Sequence, residues 1–234
     1  PLLDMHLLMD PAENRACLNI GGIANVTVLP AGSPEDVMAF DTGSGNCLLD
    51  MAVARLVNPS LSHDPEGQYA SRGTIQEDVL ERILADPYFR RIPPKSTGRE
   101  YFGAAYLDHI LTMCRTIPFD DVLATIGALT PASIVDALRR FVPGEHFPKR
   151  LIVSGGGVHN RFFMNELARR LPDMSVESSA VHGLDPDFKE AMAFGWFGFR
   201  TLCGLPTSLP GVTGCRNASI LGKISPGQNS RSLL

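Results

Sequence analysis

Two glycine-bearing turns stand close together near the start of the chain. One is Asn19-Ile20-Gly21-Gly22-Ile23-Ala24-Asn25, set between two apolar runs; the other is Asp41-Thr42-Gly43-Ser44-Gly45-Asn46, which follows a third run. Adjacent glycines let bare backbone N–H groups approach a ligand, because no Cβ blocks the way and positive φ costs little. A phosphate suits the Gly21-Gly22 turn, with Asn25 at its far bend. In the second turn Gly43 and Gly45 are expected to open a helix from about Asn46 to Val57, and the free N–H groups of a helix start form a second anion site beside Thr42. Asp41 adds a carboxylate of the kind that holds Mg2+ or its water shell beside phosphate. Either pattern alone is also what a tight hairpin needs. Two in succession, each with Asn or Asp at the bend, point toward phosphate.

A third turn shares this character. Leu151-Ile152-Val153 reads as a short buried strand running into Ser154-Gly155-Gly156-Gly157-Val158-His159-Asn160, with a helix from Arg161 to Leu171. Strand, glycine-rich turn and helix lay backbone against a flat or anionic ligand. A later helix, Asp187 to Leu202, begins with Lys189-Glu190 and carries Ala191, Ala193, Gly195 and Gly198, small residues that allow close approach. The proline-stiffened stretch Arg91 to Glu100 exposes polar tips, so Lys95, Thr97, Arg99 and Glu100 are candidates for substrate contact, against the plainer reading of an exposed connector.

These motifs need elements to position them. The chain of 234 residues is 44% hydrophobic and 20% charged with a formal net charge of −4, an ordinary globular composition and long enough for a sizeable core. No clustered basic face invites nucleic acid. No apolar run approaches a membrane span, and the first residues lack the shape of a signal peptide, so a cytoplasmic location is expected. Five cysteines with no C-x-x-C pair and six scattered histidines read as structural residues. One main lobe is expected. Strands are read over Leu18–Leu29 around the first turn and over Val37–Phe40. Ser60–Gly73 reads as a surface loop, and helices cover Gln76–Leu84, Tyr101–Cys114 and Phe119–Phe141, the last restarting at Thr130-Pro131. A strand is placed around Ser219–Ile224, and the tail beyond is unassigned.

Several familiar patterns fail. Gly222-Lys223 lacks the glycine and hydroxyl of a P-loop, Asn160 stands where a dinucleotide fingerprint needs Gly or Ala, and no G-x-S-x-G is present. Asp41-Thr42-Gly43 is the letter pattern of an aspartic protease, but that chemistry needs two such aspartates and therefore a homodimer, on an all-β fold that the helical majority of this chain does not suit.

The three glycine turns together resemble the phosphate, metal-side and adenosine segments of the actin, Hsp70 and sugar-kinase superfamily. The wording N-I-G-G-I-A-N, D-T-G-S-G-N, P-P-K-S-T-G-R-E, S-G-G-G-V-H-N and K-E-A-M-A-F is similar to the anhydro-N-acetylmuramic acid kinase family, while Pro87-Tyr88-Phe89 and the ending Leu221 to Gly227 look closer to its eukaryotic relative, levoglucosan kinase. The resemblance covers most of Arg15 to Arg231. It implies an α/β lobe of the actin-like ATPase (ribonuclease H-like) class, with a mixed sheet and flanking helices. The implied activity is ATP- and Mg2+-dependent opening of a 1,6-anhydro sugar, anhydro-N-acetylmuramic acid or levoglucosan, with phosphorylation at O6. It further implies adenosine on Gly155, Gly156 and Gly157 with Asn160 nearby, Glu190 as the acidic residue near metal and sugar, and a homodimer. Relatives also carry an N-terminal lobe with a G-T-S-M-D-G segment and an R-x-x-D-x-A-A-G-x-Q-G-A run holding the general base. Neither is among residues 1–234, so the chain is expected to be the C-terminal lobe, unable to run the reaction alone, and Asp4 does not match that base. The other reading is a noncatalytic nucleotide- or sugar-binding remnant.

Overall fold

The computed structural model describes residues 1–225. Its centre is a strand apolar on both faces, β1 (Arg15–Ile20), in which Ala16, Cys17, Leu18 and Ile20 are all buried. Such a strand must be covered on both sides. The Gly21-Gly22 turn reverses the chain into β2 (Ile23–Leu29), antiparallel to β1, and β2 pairs antiparallel with β3 (Met38–Ser44). On the other side of β1 lie β4 (Arg150–Ser154) and β5 (Ser175–Ser178), both parallel, giving the order β3-β2-β1-β4-β5. This mixed sheet with flanking helices is the α/β architecture expected from the sequence.

One face, carrying Ala16, Leu18, Ile20, Val26, Val28, Leu151 and Val153, packs into the main core. That core is built from α2 (Cys47–Leu56), α3 (Glu77–Leu84), α4 (Pro87–Arg90), α5 (Ala104–Met113), α6 (Phe119–Phe141) and α7 (Arg161–Arg170). The opposite face carries Cys17, Leu29 and Ile152 under a smaller cluster with Leu8 of α1 (Leu2–Leu8) and Val212 of α9 (Pro210–Thr213). The last long helix is α8 (Lys189–Leu202), in which no residue is buried.

Several expectations are corrected. The third strand does not stop at Phe40 but runs through Asp41-Thr42-Gly43-Ser44, with Thr42 bulged out between the Asn25–Asp41 and Ala24–Gly43 pairs. The long helix does not restart at Thr130-Pro131. Pro131 sits inside one unbroken helix, whose residues Val122 to Val135 are buried without exception, and burial outweighs a loss of about 3 kcal/mol for an internal proline. Thr130 caps nothing there: its Oγ1 donates to the carbonyls of Gly45 at 2.7 Å and Ser44 at 3.2 Å. By length and composition α6 could also cross a membrane, against the sequence expectation, but 89% of its apolar window is buried inside the protein, as in a core helix. No strand forms at Ser219–Ile224; Ser219 instead bonds to Thr207 and Ser208. The tail from 226 onward lies outside the described residues.

Candidate functional site

Sheet register sets the first part of the site. Asp41 pairs with Asn25, Asn25 with Asn19, and Asn19 with Ser154, so four polar side chains cross β3, β2, β1 and β4 at one level. They lie on the face opposite the main core, because Ala24, Val26 and Phe40 beside them take that core. Asn25 and Asp41 line a cavity of about 470 Å³ with Lys95 and Ser96 of the 91–100 loop and Val212 and Thr213 of α9. Asp41 is tied to that loop: its N–H donates to the Lys95 carbonyl at 3.1 Å, and its Oδ2 accepts the Thr97 N–H at 2.9 Å. Burial pushes the Asp41 carboxyl above its usual value, against the Thr97 N–H and the Lys95 charge, which lower it.

Lys95 is not a free cation in this cavity. It is buried, its Nζ donates to the carbonyls of Tyr88 at 3.3 Å and Phe89 at 3.4 Å, and it lies over the rings of Tyr88 and Phe141. Burial lowers its pKa to about 8. Arg99 and Glu100 are exposed. Arg99 lays its guanidinium on the hairpin turn, 3.1 Å from where a Cβ on Gly22 would stand, and shares a second cavity, of about 410 Å³, with Cys47 and Asp50.

The helix start after the second glycine turn is not an open anion site. The N–H groups of Gly45 and Cys47 donate to the Gly22 carbonyl and that of Asn46 to Gly21, so one glycine turn satisfies the other. A Cβ on Gly45 would meet Gly21 O at 2.2 Å, and one on Gly43, at φ 155°, would meet Phe89 at 2.8 Å. These glycines serve close backbone packing. In the third turn Gly155 and Gly157 do the same against Asn19 and Ile20, while Gly156 is exposed, with only Asn46 Nδ2 near its Cβ position, at 3.8 Å.

Gly156 opens into a cavity of about 480 Å³ shared with Asn46, Asp50, His63, Asp64, Pro65, Glu66, His159 and Asn160. The structure thus joins Asn46, Gly156 and Asn160, and leaves Asn25 and Asp41 in a different cavity. Asn160 also caps α7, accepting the Phe163 N–H at 3.1 Å. The wall formed by residues 63–66 belongs to the stretch that the sequence reads as plain surface loop. It is fixed because Asp64 is buried and accepts the N–H groups of Tyr69 and Ala70, a capping pattern visible only once the partners are known. Asp50 stands between the two cavities on α2, and burial pushes its carboxyl up to about 6.

Glu190 is exposed in the first turn of α8. The lead-in to that helix is bound to the third glycine turn: the Gly155 N–H donates to the Pro186 carbonyl at 2.9 Å, and His159 Nε2 lies 3.0 Å from both Asp187 oxygens. Among the described residues, no three His, Cys, Asp or Glu side chains gather as a metal site. Mg2+ keeps several waters and is held by one or two carboxylates plus substrate phosphates. Asp41, with one oxygen left over, and the exposed Glu190 are donors of that sparse kind. Asp4 is buried against Thr27 and Lys189.

A family model for anhydro-N-acetylmuramic acid kinase matches residues 1–227. The chain belongs to that family. It is 44% identical over 231 residues to the anhydro-N-acetylmuramic acid kinase of Salinibacter ruber, covering 97% of this chain and 58% of the relative. It is 45% identical over 227 residues to the enzyme of the same name from Gloeobacter violaceus, covering 97% and 59%. The chain therefore spans somewhat less than two thirds of the curated relatives it matches. A solved structure, the activator of 2-hydroxyisocaproyl-CoA dehydratase from Clostridium difficile with bound ADPNP, is similar over 80% of this chain and 61% of that one, with a TM-score of 0.47 and 13% identity. The family is one of phosphotransferases.

Proposed function

We propose that this lobe binds the nucleotide of an ATP-dependent kinase that opens a 1,6-anhydro sugar with water and phosphorylates the freed O6. One observation carries the reading. Asn46, Gly156 and Asn160, from two motifs far apart in the chain, meet in a single cavity that the open Cβ side of Gly156 faces. The nucleoside lies against Gly156, between His159 and Asn160 on one side and residues 63–66 on the other. The phosphates extend toward the Gly21-Gly22 turn, where Arg99 supplies a cation. Phosphoryl transfer is mostly positioning and charge neutralisation, and these residues supply both. Mg2+, held by Asp41 and Glu190, would add the remaining positive charge.

On the sugar side, Arg99, Glu100 and the Thr97 hydroxyl are the assigned contacts. Lys95 is withdrawn from direct contact because its Nζ is engaged with backbone carbonyls. The names of the relatives favour anhydro-N-acetylmuramic acid over levoglucosan as substrate. Water activation needs a base within hydrogen-bond reach. Asp4 is committed elsewhere, so we assign the base to none of the described residues and read the lobe as the nucleotide side of a two-lobed, cytoplasmic, homodimeric enzyme. Titration with ADP, with and without Mg2+, tests the nucleotide site: Mg2+-dependent binding supports it and no binding overturns it. Incubation with ATP and each anhydro sugar, followed by detection of the sugar 6-phosphate, tests the chemistry.

A further inference from the structure

We infer that Lys189 is a positioning residue: paired with the buried Asp4 and hydrogen-bonded to Ser154, it fixes the backbone that carries Glu190 against the glycine turn of the nucleotide cavity. This rests on the nucleotide reading above and on Glu190 as its metal-side carboxylate.

Lys189 Nζ lies 2.7 Å from Asp4 Oδ1 and donates to Ser154 Oγ at 3.2 Å. Ser154 Oγ donates in turn to the Leu18 carbonyl, and Thr27 Oγ1 donates to Asp4 Oδ2, both at 3.2 Å. The network thus joins α1, β1, β2, β4 and α8. Both charges are largely withdrawn from water, with the side chains 9% and 13% exposed. Desolvation opposes a buried ion pair, and an apolar pair of the same size would stabilise as well or better, so such a pair is weak evidence for stability. What the pair does supply is geometry. It gives the first turn of α8 one position relative to the sheet.

That turn has little else to hold it. No residue of α8 is buried, and its middle and far half lean on α1 through His6, which meets Trp196 edge-on and lies 3.4 Å from Arg200 Nη1. At its start three bonds converge on the turn of residues 154–159: Gly155 to Pro186, His159 to Asp187, and Lys189 to Ser154. Lys189 is the member of this set directly before Glu190 in sequence, and Ser154 directly precedes Gly155. Movement of Lys189 would therefore displace Glu190 relative to the nucleotide turn. Groups behind a metal ligand are worth about 10–100-fold in metal affinity.

The test is ADP affinity with and without Mg2+, beside thermal unfolding, in Lys189→Met, Lys189→Arg, Glu190→Gln and the double variant Asp4→Asn/Lys189→Met. The double variant removes both charges of the pair, so it avoids the cost of the buried carboxylate that Lys189→Met leaves without its lysine. The expected result is that the double variant keeps metal-free ADP affinity and loses the gain from Mg2+ by about 10–100-fold. Glu190→Gln loses the same gain and, added to the double variant, removes nothing further; Lys189→Arg retains part of it. Wild-type Mg2+ dependence in the double variant, with only a changed melting temperature, overturns this inference and leaves the nucleotide reading standing. Absence of ADP binding by the wild-type protein overturns both.

Discussion

The backbone N–H of Asn46 donates to the carbonyl of Gly21 over 2.8 Å, so the start of α2 is closed by the β1–β2 hairpin turn and not by a ligand. With the bonds from Gly45 and Cys47 to Gly22, the two glycine motifs form one rigid unit. The exposed glycine that lines a cavity is in the third motif, at Gly156, where the nucleoside is proposed to lie.

Gly45→Ala is expected to destabilise the protein. Its methyl group would stand 2.2 Å from Gly21 O, where only backbone can move aside. Overpacking of this kind costs about 1–3 kcal/mol or more, read as a lower urea midpoint at unchanged slope. Gly22→Ala is the contrast: its nearest neighbour is the movable Arg99 side chain, so its cost is small.

Thr130→Val removes the hydroxyl that α6 extends to the carbonyls of Ser44 and Gly45. The shape is kept while two buried acceptors lose a donor, a loss of about 1–3 kcal/mol. Hydrogen exchange at the Gly45–Cys47 amides should quicken with it.

Asp50 gives a pH dependence with a definite sign. Burial raises its carboxyl from 3.8 unfolded to about 6 folded. The native state then binds more protons than the unfolded state between these values, so this group's contribution to stability falls as pH rises through that window. Asp50→Asn should therefore raise the urea midpoint at pH 7 relative to wild type, and the difference should vanish near pH 4.

The hairpin, the α2 boundary and the glycine turn after β4 were legible because apolar periodicity and glycine placement are local signals. The cysteines, read as small buried hydrophobes, conform only in part: Cys17, Cys47 and Cys114 are buried, but Cys203 is exposed and Cys215 half-buried. Less legible was anything decided by distant partners. Thr130-Pro131 reads locally as a helix start, and only the burial of α6 on all sides overrides it. Asp64 reads as a polar loop residue, and only its bonds to the Tyr69 and Ala70 amides make the loop a cavity wall. Lys95 reads as an exposed tip until the Tyr88 and Phe141 rings enclose it. The pairing of Lys189 with Asp4 joins opposite ends of the chain, and no spacing rule reaches that far.

The most direct measurement is the ADP affinity of Gly156→Ala beside its thermal stability. The added methyl meets nothing closer than Asn46 Nδ2 at 3.8 Å, so folding is untouched, yet it projects into the cavity where the nucleoside is placed. The account predicts an unchanged melting temperature with ADP binding weakened about tenfold or more, a loss of about 1.4 kcal/mol. Unchanged ADP affinity in a normally stable Gly156→Ala protein would contradict it.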